Sequence, residues 1–294
     1  MSHFIILTKR LLALLLFILL CKPICIQGQS PTGDVNSDGY VTIADVTTLI
    51  DILLGNYHPS TNPLENDTIS LDGVDFVMIA VEGGTYKMGN AFTTPATQPV
   101  HRVTLSSFKI CETEITQAQW AEVLGYNNSY HKNAQGPVTN VTWYEIQTFI
   151  RELNSLTGHN FRLPTEAEWE FAARGGNKSE DYTYSGSNTL SEVSWYNTTD
   201  YNAQMDPQTV KKKKPNELGI YDMSGNADEW CSDWYGSYES GQQTNPVGPE
   251  SGTNKVVRGG NRNNWAASHT VFARSSRDPS TTTNYAGFRL VLDE

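Results

Sequence analysis

The stretch PVTNVTWYEIQTFIRELNSLTGHNFRLPTEAEWEFAARGG, residues 137–176, contains two helices that the sequence delimits by itself. Thr142 and Thr165 are each followed three positions later by a glutamate, which is the spacing of a capping box at a helix start. After Thr142 the apolar residues recur at i, i+3, i+4 and i+7, the spacing of one helix face. That face consists of Ile146, Phe149, Ile150 and Leu153.

Outside this stretch, the pattern indicates a mixed fold. Thr116 with Gln119 forms a third capping box and predicts a helix that ends at Gly125, while the helix after Thr165 ends at Gly175. Short β-like runs lie at 75–81, 101–111 and 286–292, and loops fill most of the remainder. We therefore expect an α+β fold with few helices, short strands and long loops. The three glutamates after Thr165 are assigned to the helix start, and not to acid–base chemistry.

A second stretch, PNELGIYDMSGNADEWCSDWY at 215–235, strengthens the assignment. With 137–176 it occurs in the same order as FVMIAVEGGTYKMGN (76–90), FKICETEITQAQW (108–120), VVRGGN (256–261) and AGFRLV (286–291). Together these blocks resemble the sulfatase-modifying-factor family, the formylglycine-generating enzymes. The resemblance implies a C-type-lectin-like fold for a domain at 73–294.

The resemblance also implies a catalytic site that this chain does not complete. Family oxidases bind Cu(I) through two cysteines between the RGG and GFR motifs, and soft thiolates are the natural ligands of that ion. The corresponding positions here are Asn264 and His269, and no residue from 232 to 294 is a cysteine. We expect a non-catalytic module that binds a ligand or partner. The alternatives are an oxidase with unrecognised ligands and a retroelement-diversified C-type-lectin-like binding protein.

The family's substrate cleft suggests where a ligand would bind. A mixture of aromatic, amide and charged side chains occurs there, suited to a sugar or a peptide. Trp265 and Arg274 could instead be ordinary packing residues. The candidate ligand-binding residues are Asp228, Arg262, Asn264, Trp265, His269 and Arg274.

Calcium is the cofactor that the resemblance implies for the segment after Tyr221. Asp222 and Glu229 would provide side-chain oxygens, and Gly225 and Ala227 would provide carbonyl oxygens. Two carboxylates seven residues apart, with a Gly-Asn turn between them, can fold around one hard ion. The alternative is a surface turn with solvated acids.

The N-terminus predicts export. Residues 1–28 have the pattern of a signal peptide, in which Lys9 and Arg10 precede an apolar run from Leu11 to Leu20. That run is too short to span a bilayer, so we do not expect an integral membrane protein. A lipoprotein anchored at Cys21 is a weaker alternative. The expected location is outside the cell, at its surface or in the periplasm.

Residues 29–56 contain a second calcium motif. Oxygen-bearing residues occupy positions 1, 3, 5, 7 and 12 of an EF-hand-like loop, and Gly39 fills the turn at position 6. The segment resembles one type I dockerin repeat, which suggests a cohesin-like partner, although a second repeat is absent. Residues 57–72 are predicted to be a linker. The expected ligands in this small calcium module are Asp34, Asn36, Asp38, Tyr40 and Asp45.

The net charge limits the classes of partner that we expect, and the cysteine content limits the possible disulfides. Removing the signal leaves 18 of the 21 basic residues against 32 acidic ones, a net charge of −14, which argues against nucleic acid as a partner. The basic run Lys211–Lys214 is predicted to be a solvated loop. Cys111 and Cys231 remain after export, and they either form a disulfide or are buried thiols.

We predict that changing Asp34 and Asp38 to alanine removes one calcium ion per chain. Two leading oxygen ligands of the dockerin-like loop are lost, and a hard cation is not held by the remaining groups. Isothermal calorimetry should show one fewer bound ion in the double variant. Equal stoichiometry in variant and wild type would contradict the assignment.

Overall fold

The computed structural model of the protein describes residues 64–197 and 206–293. The predicted signal peptide and the dockerin-like repeat lie outside these residues, so both stay predictions. Twelve strands occur in the described residues, most of them short. They are β1 (Asp67–Leu71), β2 (Val74–Val81), β3 (Gly84–Met88), β4 (His101–Leu105), β5 (Phe108–Cys111), β6 (Phe161–Arg162), β7 (Asp228–Trp234), β8 (Gln243–Thr244), β9 (Lys255–Arg258), β10 (Arg274–Arg277), β11 (Ala286–Gly287) and β12 (Val291–Leu292).

The strands form three sheets. The first has the order β1-β2-β5-β12-β6, the second β10-β9-β7-β11, and the third β3-β4-β8. Most neighbours are antiparallel; the pairs β7–β11 and β4–β8 are parallel. Because β12 near the C-terminus lies between β5 and β6, the end of the chain is built into the first sheet.

Of the four α-helices in residues 64–197 and 206–293, three begin where the sequence predicted. Helix α1 (Gln117–Leu124), α2 (Trp143–Thr157) and α3 (Glu166–Ala173) each follow a threonine whose side chain completes a capping box. Helix α1 ends at Gly125 in the left-handed conformation, as expected. The short α4 (Leu190–Val193) has no side-chain cap. Three single 3-10 turns lie at Pro95–Thr97, Gly176–Lys178 and Ala266–His269.

Helix α2 packs its apolar face into the first hydrophobic core. All four residues of the predicted stripe are buried. In this core the Trp120 and Phe149 rings stack with centroids 5.1 Å apart, and the Phe288 ring meets both edge-on. The core therefore joins α1 and α2 to the C-terminal segment.

Helix α3 is buried on every side, unlike α2. All eight of its residues have little exposure, including Glu166, Glu168 and Glu170. Glu168 completes the capping box and also binds Arg162 with two bonds of 2.7 Å. Arg258 bridges the other two glutamates at 2.7 Å each. The three glutamates are structural, as predicted, but all three also form ion pairs, and only Glu168 completes the capping box as well.

The folded unit begins before the Gly73 boundary that the sequence predicted. Strand β1 lies inside the expected linker at 57–72 and pairs with β2 along its whole length. Asp72 and Gly73 both have positive φ and form the two-residue turn between the strands. The signal in the sequence is this Asp-Gly turn, which is typical of a hairpin.

Both cysteines of the described residues are free thiols. Cys111 ends β5 and its Sγ contacts the sulfur of Met78 at 3.4 Å, while Cys231 lies in β7. Both are buried, so the structure supports the buried thiols and not the disulfide. Burial raises the pKa of Cys111 to about 12 and raises that of Cys231 well above its ordinary value. Neither sulfur is therefore a thiolate at neutral pH.

Asp233 in β7 makes stability depend on pH. Its Oδ2 accepts hydrogen bonds from the Glu166 backbone and the Ser232 hydroxyl, both at 2.9 Å. Burial, and then the charge of Glu166, raises the Asp233 pKa to about 7 from an ordinary 3.8. The folded state therefore holds a proton that the unfolded chain releases at lower pH. The stabilisation from this proton is complete below pH 3.8 and is lost as the pH rises through about 7.

We predict that Asp233→Asn reduces the loss of stability between pH 5 and pH 8 by roughly 2 kcal/mol. Asparagine keeps an oxygen for the Glu166 backbone and has no proton to release. Urea unfolding across this range measures the difference. Asp181→Asn, at an exposed aspartate, is the control and should keep the wild-type slope. Identical slopes in Asp233→Asn and wild type would contradict the prediction.

Candidate functional site

The loop after β9 is turned by two glycines. Gly259 and Gly260 both have positive φ, and a Cβ on Gly260 would lie 2.7 Å from the Ser268 carbonyl oxygen. Only glycine allows this approach of two backbone segments. The chain then runs through the 3-10 turn Ala266–His269 and returns in β10, beside β9. Residues 261–273 therefore form a loop between two paired strands.

Asn264 and His269, where the resemblance suggested the family's copper ligands, hold this loop together. The Asn264 side chain accepts from the Asn261 backbone at 2.9 Å, and its own backbone donates to the Asn261 carbonyl at 2.8 Å. His269 is fully buried, with one ring nitrogen 3.0 Å from the Trp265 carbonyl and the other 3.1 Å from the Asn261 carbonyl. Burial lowers the pKa of His269 below its ordinary value, against the effect of these bonds. Both side chains thus bind the loop's own backbone.

Asp228 anchors the same loop from β7. Its Oδ2 accepts from the Asn261 side chain at 2.8 Å and pairs with Arg277 of β10. The carboxylate is nearly buried between these partners. The structure thus brings Asp228, Asn264 and His269 together around the loop, where their interactions are internal.

Arg274 does not join the other predicted ligand residues. Its guanidinium binds Glu166, donates to the carbonyls of Ala96 at 3.0 Å and Gly236 at 2.8 Å, and lies 4.0 Å from the Tyr238 ring centre. The side chain is 2% exposed. Of the two roles that the sequence left open for Arg274, ligand binding and packing, the structure supports packing. Sequence pattern could not show this, because its acidic partner is 108 residues away.

Of the predicted ligand-binding residues, Trp265 is exposed and Arg262 is only partly exposed. Trp265 is 53% exposed on the loop. Arg262 lies over the Trp195 ring, 5.2 Å from its centre, and its backbone donates to Asn226. The Arg262 Nε and Nη1 and the Trp195 Nε1 are buried and have no hydrogen-bond partner among the described residues. A buried donor without a partner costs about 1–3 kcal/mol.

Lys213 extends this surface, which the sequence had not predicted. Its ammonium lies 4.2 Å from the same Trp195 ring and donates to the Ser191 carbonyl at 2.7 Å. The basic run is not a freely solvated loop, since Lys211 binds the Glu112 carboxylate and Lys214 donates to Gly186. The four consecutive lysines were visible in the sequence. The contact of Lys213 with Trp195 was not, because residue spacing does not show which distant side chains meet in the folded chain.

The candidate calcium segment is buried, so it is not a turn with solvated acids. Asp222 is 3% exposed and Glu229 is fully buried. Asp222 Oδ2 accepts from the Lys211 backbone at 2.8 Å, while Oδ1 has no partner. Burial raises the Asp222 pKa to about 6. An uncompensated buried carboxylate oxygen of this kind suits a hard cation.

Glu229 has other partners. Arg289 binds both of its oxygens, at 2.6 and 2.7 Å, and the Trp169 indole donates at 2.7 Å. One oxygen, Oε1, accepts from Arg289 alone, so a lone pair is left there. Glu114 lies nearby, and burial together with Asp222 raises its pKa well above the ordinary value. Three acids thus share one arginine, an excess of buried negative charge.

Carboxylates alone do not complete a metal site here. Within 64–197 and 206–293, no group of three or more His, Cys, Asp or Glu side chains could hold a metal ion. A calcium ion at Asp222 would therefore need the carbonyl oxygens of Gly225 and Ala227 that the sequence suggested. The expected ligands of the dockerin-like loop, Asp34 to Asp45, lie outside the described residues.

A separate cavity of about 270 Å³ lies beside β2 and the start of α1, with Gln119 and Lys211 in its wall. None of the predicted ligand-binding residues lines it.

Among the described helices, none has the length and apolar character needed to cross a membrane.

The chain is similar to known proteins in sequence. The chain is 36% identical over 226 residues to the chaperone protein LppX of Paenibacillus barcinonensis, covering 61% of this chain and 77% of LppX. It is 27% identical over 285 residues to the formylglycine-generating enzyme of Streptomyces coelicolor, covering 73% of this chain and 88% of the enzyme.

A solved structure is also similar. Treponema denticola variable protein 1 superposes with a TM-score of 0.72 at 30% identity, covering 79% of this chain and 100% of that one. The predicted C-type-lectin-like architecture is confirmed. The model of the sulfatase-modifying factor enzyme 1-like domain matches residues 76–294, so the chain belongs to that family.

Proposed function

We propose that the protein is an exported, calcium-stabilised module that binds a ligand or partner and does not form formylglycine. The observation that carries this proposal is the loop between β9 and β10. Where oxidases of the family have copper-binding cysteines, Asn264 and His269 bind the loop's own backbone. The two described thiols are buried, and their raised pKa values keep them protonated. Cu(I) prefers thiolates, and none is provided here.

The binding face that we propose is the outer side of this loop. Ion pairs and short strands hold its ends, and a loop on a rigid scaffold is a common position for binding residues. Trp265 provides exposed aromatic surface, and Arg262 provides donors that lack acceptors. A sugar or a polypeptide segment suits this combination. Any cohesin-like partner would use the dockerin-like repeat instead.

A second candidate is a binding protein diversified by a retroelement. The likeness to Treponema denticola variable protein 1, which extends over that whole chain, favours it. The polar, asparagine-rich segment 261–285 would then be the variable part. A template repeat beside the gene would support this function, and its absence would count against it.

We propose calcium as the cofactor because the segment around Asp222 is buried and acidic. The unpartnered Oδ1 and the shared negative charge with Glu114 and Glu229 are what a divalent ion would relieve. Bound there, the ion would fix loops that have little regular structure. The role is stabilising, and no reaction depends on it. The signal peptide supports a location outside the cell, at its surface or in the periplasm.

We predict that chelation lowers the melting temperature of the full chain carrying Asp34→Ala and Asp38→Ala, which silences the first calcium loop. A ligand at about 100 times its Kd stabilises by roughly 2.7 kcal/mol, which corresponds to about 5–10 °C here. Adding Asp222→Asn should abolish the chelator effect, because asparagine keeps the Lys211 bond but loses the charge. A chelator effect of the same size with and without Asp222→Asn would reject this site.

We predict that glycan or peptide arrays will identify a ligand whose binding is lost in Trp265→Ala. Removing a central aromatic contact weakens binding by about 2 kcal/mol, or roughly thirtyfold. Tyr144→Ala is the matched control, since Tyr144 is 54% exposed and Trp265 is 53% exposed. Equal loss in both variants would argue against this face.

The same preparation tests the non-catalytic half of the proposal. Supplied with Cu(I), oxygen and a Cys-x-Pro-x-Arg peptide, it should leave the cysteine unchanged by mass spectrometry. Conversion of that cysteine to formylglycine at an enzymatic rate would establish the oxidase alternative.

A further inference from the structure

Three buried hydrogen-bond donors without acceptors belong to two side chains that lie against each other, Arg262 and Trp195. They are the Nε and Nη1 of Arg262 and the Nε1 of Trp195, all buried. Single orphaned nitrogens also occur at Trp120 and Trp230. The Arg262 group differs because a guanidinium with two such nitrogens lies against the ring that holds the third. Buried donors normally have partners, so this convergence requires an explanation.

The same place gathers positive charge in an acidic protein. Lys213 and Arg262 both lie over the Trp195 ring, at 4.2 and 5.2 Å, while the chain as a whole has a net charge of −11. The carboxylate that acts electrostatically on Arg262 is that of Asp206, which forms an ion pair with His131. Lys213 uses one donor on the Ser191 carbonyl, and an ammonium has two more. Positive charge and hydrogen-bond donors that lack acceptors therefore occur on the same side chains, Arg262 and Lys213.

We propose that Arg262, Lys213 and Trp195 bind a singly charged oxyanion, either a carboxylate or a sulfate ester. Such a group carries only acceptors, which are what the orphaned donors of Arg262 and Trp195 and the remaining donors of Lys213 lack. Charge-assisted hydrogen bonds from guanidinium and ammonium to oxyanions are the strong ones. A phosphate dianion fits less well, since the acidic chain repels the second charge. The site rests on the proposed function, because it would hold the anionic part of that ligand.

The test titrates the full-length, ¹⁵N-labelled protein with sodium acetate and sodium methyl sulfate at constant ionic strength, balanced with sodium chloride. The signal is the Trp195 Nε1–H resonance, identified by its loss in Trp195→Phe. Acetate or methyl sulfate should shift it saturably, while chloride should not. Saturation by acetate alone identifies a carboxylate site, and saturation by methyl sulfate alone identifies a sulfate ester site.

Variants separate this site from general charge effects. Arg262→Gln should weaken binding at least about tenfold, because the guanidinium charge and its two orphaned donors are removed. Lys213→Gln should weaken it less. Lys212→Gln removes the same charge from the same basic run and should leave the affinity unchanged. If Arg262→Gln does not fold by circular dichroism, Lys213→Gln against Lys212→Gln decides the question.

The proposal is overturned if neither anion shifts the resonance saturably. It is also overturned if folded Arg262→Gln binds as the wild type does, or if Lys212→Gln weakens binding as much as Lys213→Gln. Failure here with a Trp265-dependent array ligand intact rejects only the anion site. Saturable anion binding without any array ligand leaves the site established and counts against the broader binding function.

Discussion

The fold depends on one buried arginine. Arg258, at the end of β9, is fully buried and binds Glu166 and Glu170 on successive turns of α3. Arg274 in β10 holds the other oxygen of Glu166, so two strands are fastened to one helix. Removing one member of such a set leaves an uncompensated buried charge, which costs far more than an exposed pair. This is why a helix carrying three glutamates can be buried on all sides.

Buried ion pairs also position the loop that we propose as the binding face. It leaves β9 at Arg258 and returns in β10 at Arg274, so both of its ends are held by the ion cluster. Asp228 fixes its start through Asn261, and Arg289 ties the neighbouring Glu229 to the C-terminal segment. With its ends rigid and its interior bonded to its own backbone, the loop can vary on its outer side. The resemblance places the family's copper ligands in this loop, and here Asn264 and His269 bind the loop's own backbone.

Local rules predicted much of the fold. The capping boxes at Thr116, Thr142 and Thr165 form as expected, because each needs residues only three positions apart. The buried stripe of α2 follows from helical periodicity in the same way. At the candidate site, the resemblance indicated the loop that contains Asn264 and His269. The sequence could not separate Arg274, whose side chain is buried in ion pairs, from Arg262, which lies against Trp195, since both are arginines in one polar stretch.

The sequence by itself determined the starts of three helices, the family and the lack of cysteines after Cys231, because these are properties of neighbouring residues or of residue identity. Tertiary structure alone decided which charges are paired. Glu166 meets Arg258 across 92 residues, and Lys213 and Arg262 each lie against the Trp195 ring. No periodicity links positions that far apart. Their contact depends on how sheets and loops pack, and burial then turns ordinary surface residues into ion pairs or unsatisfied donors.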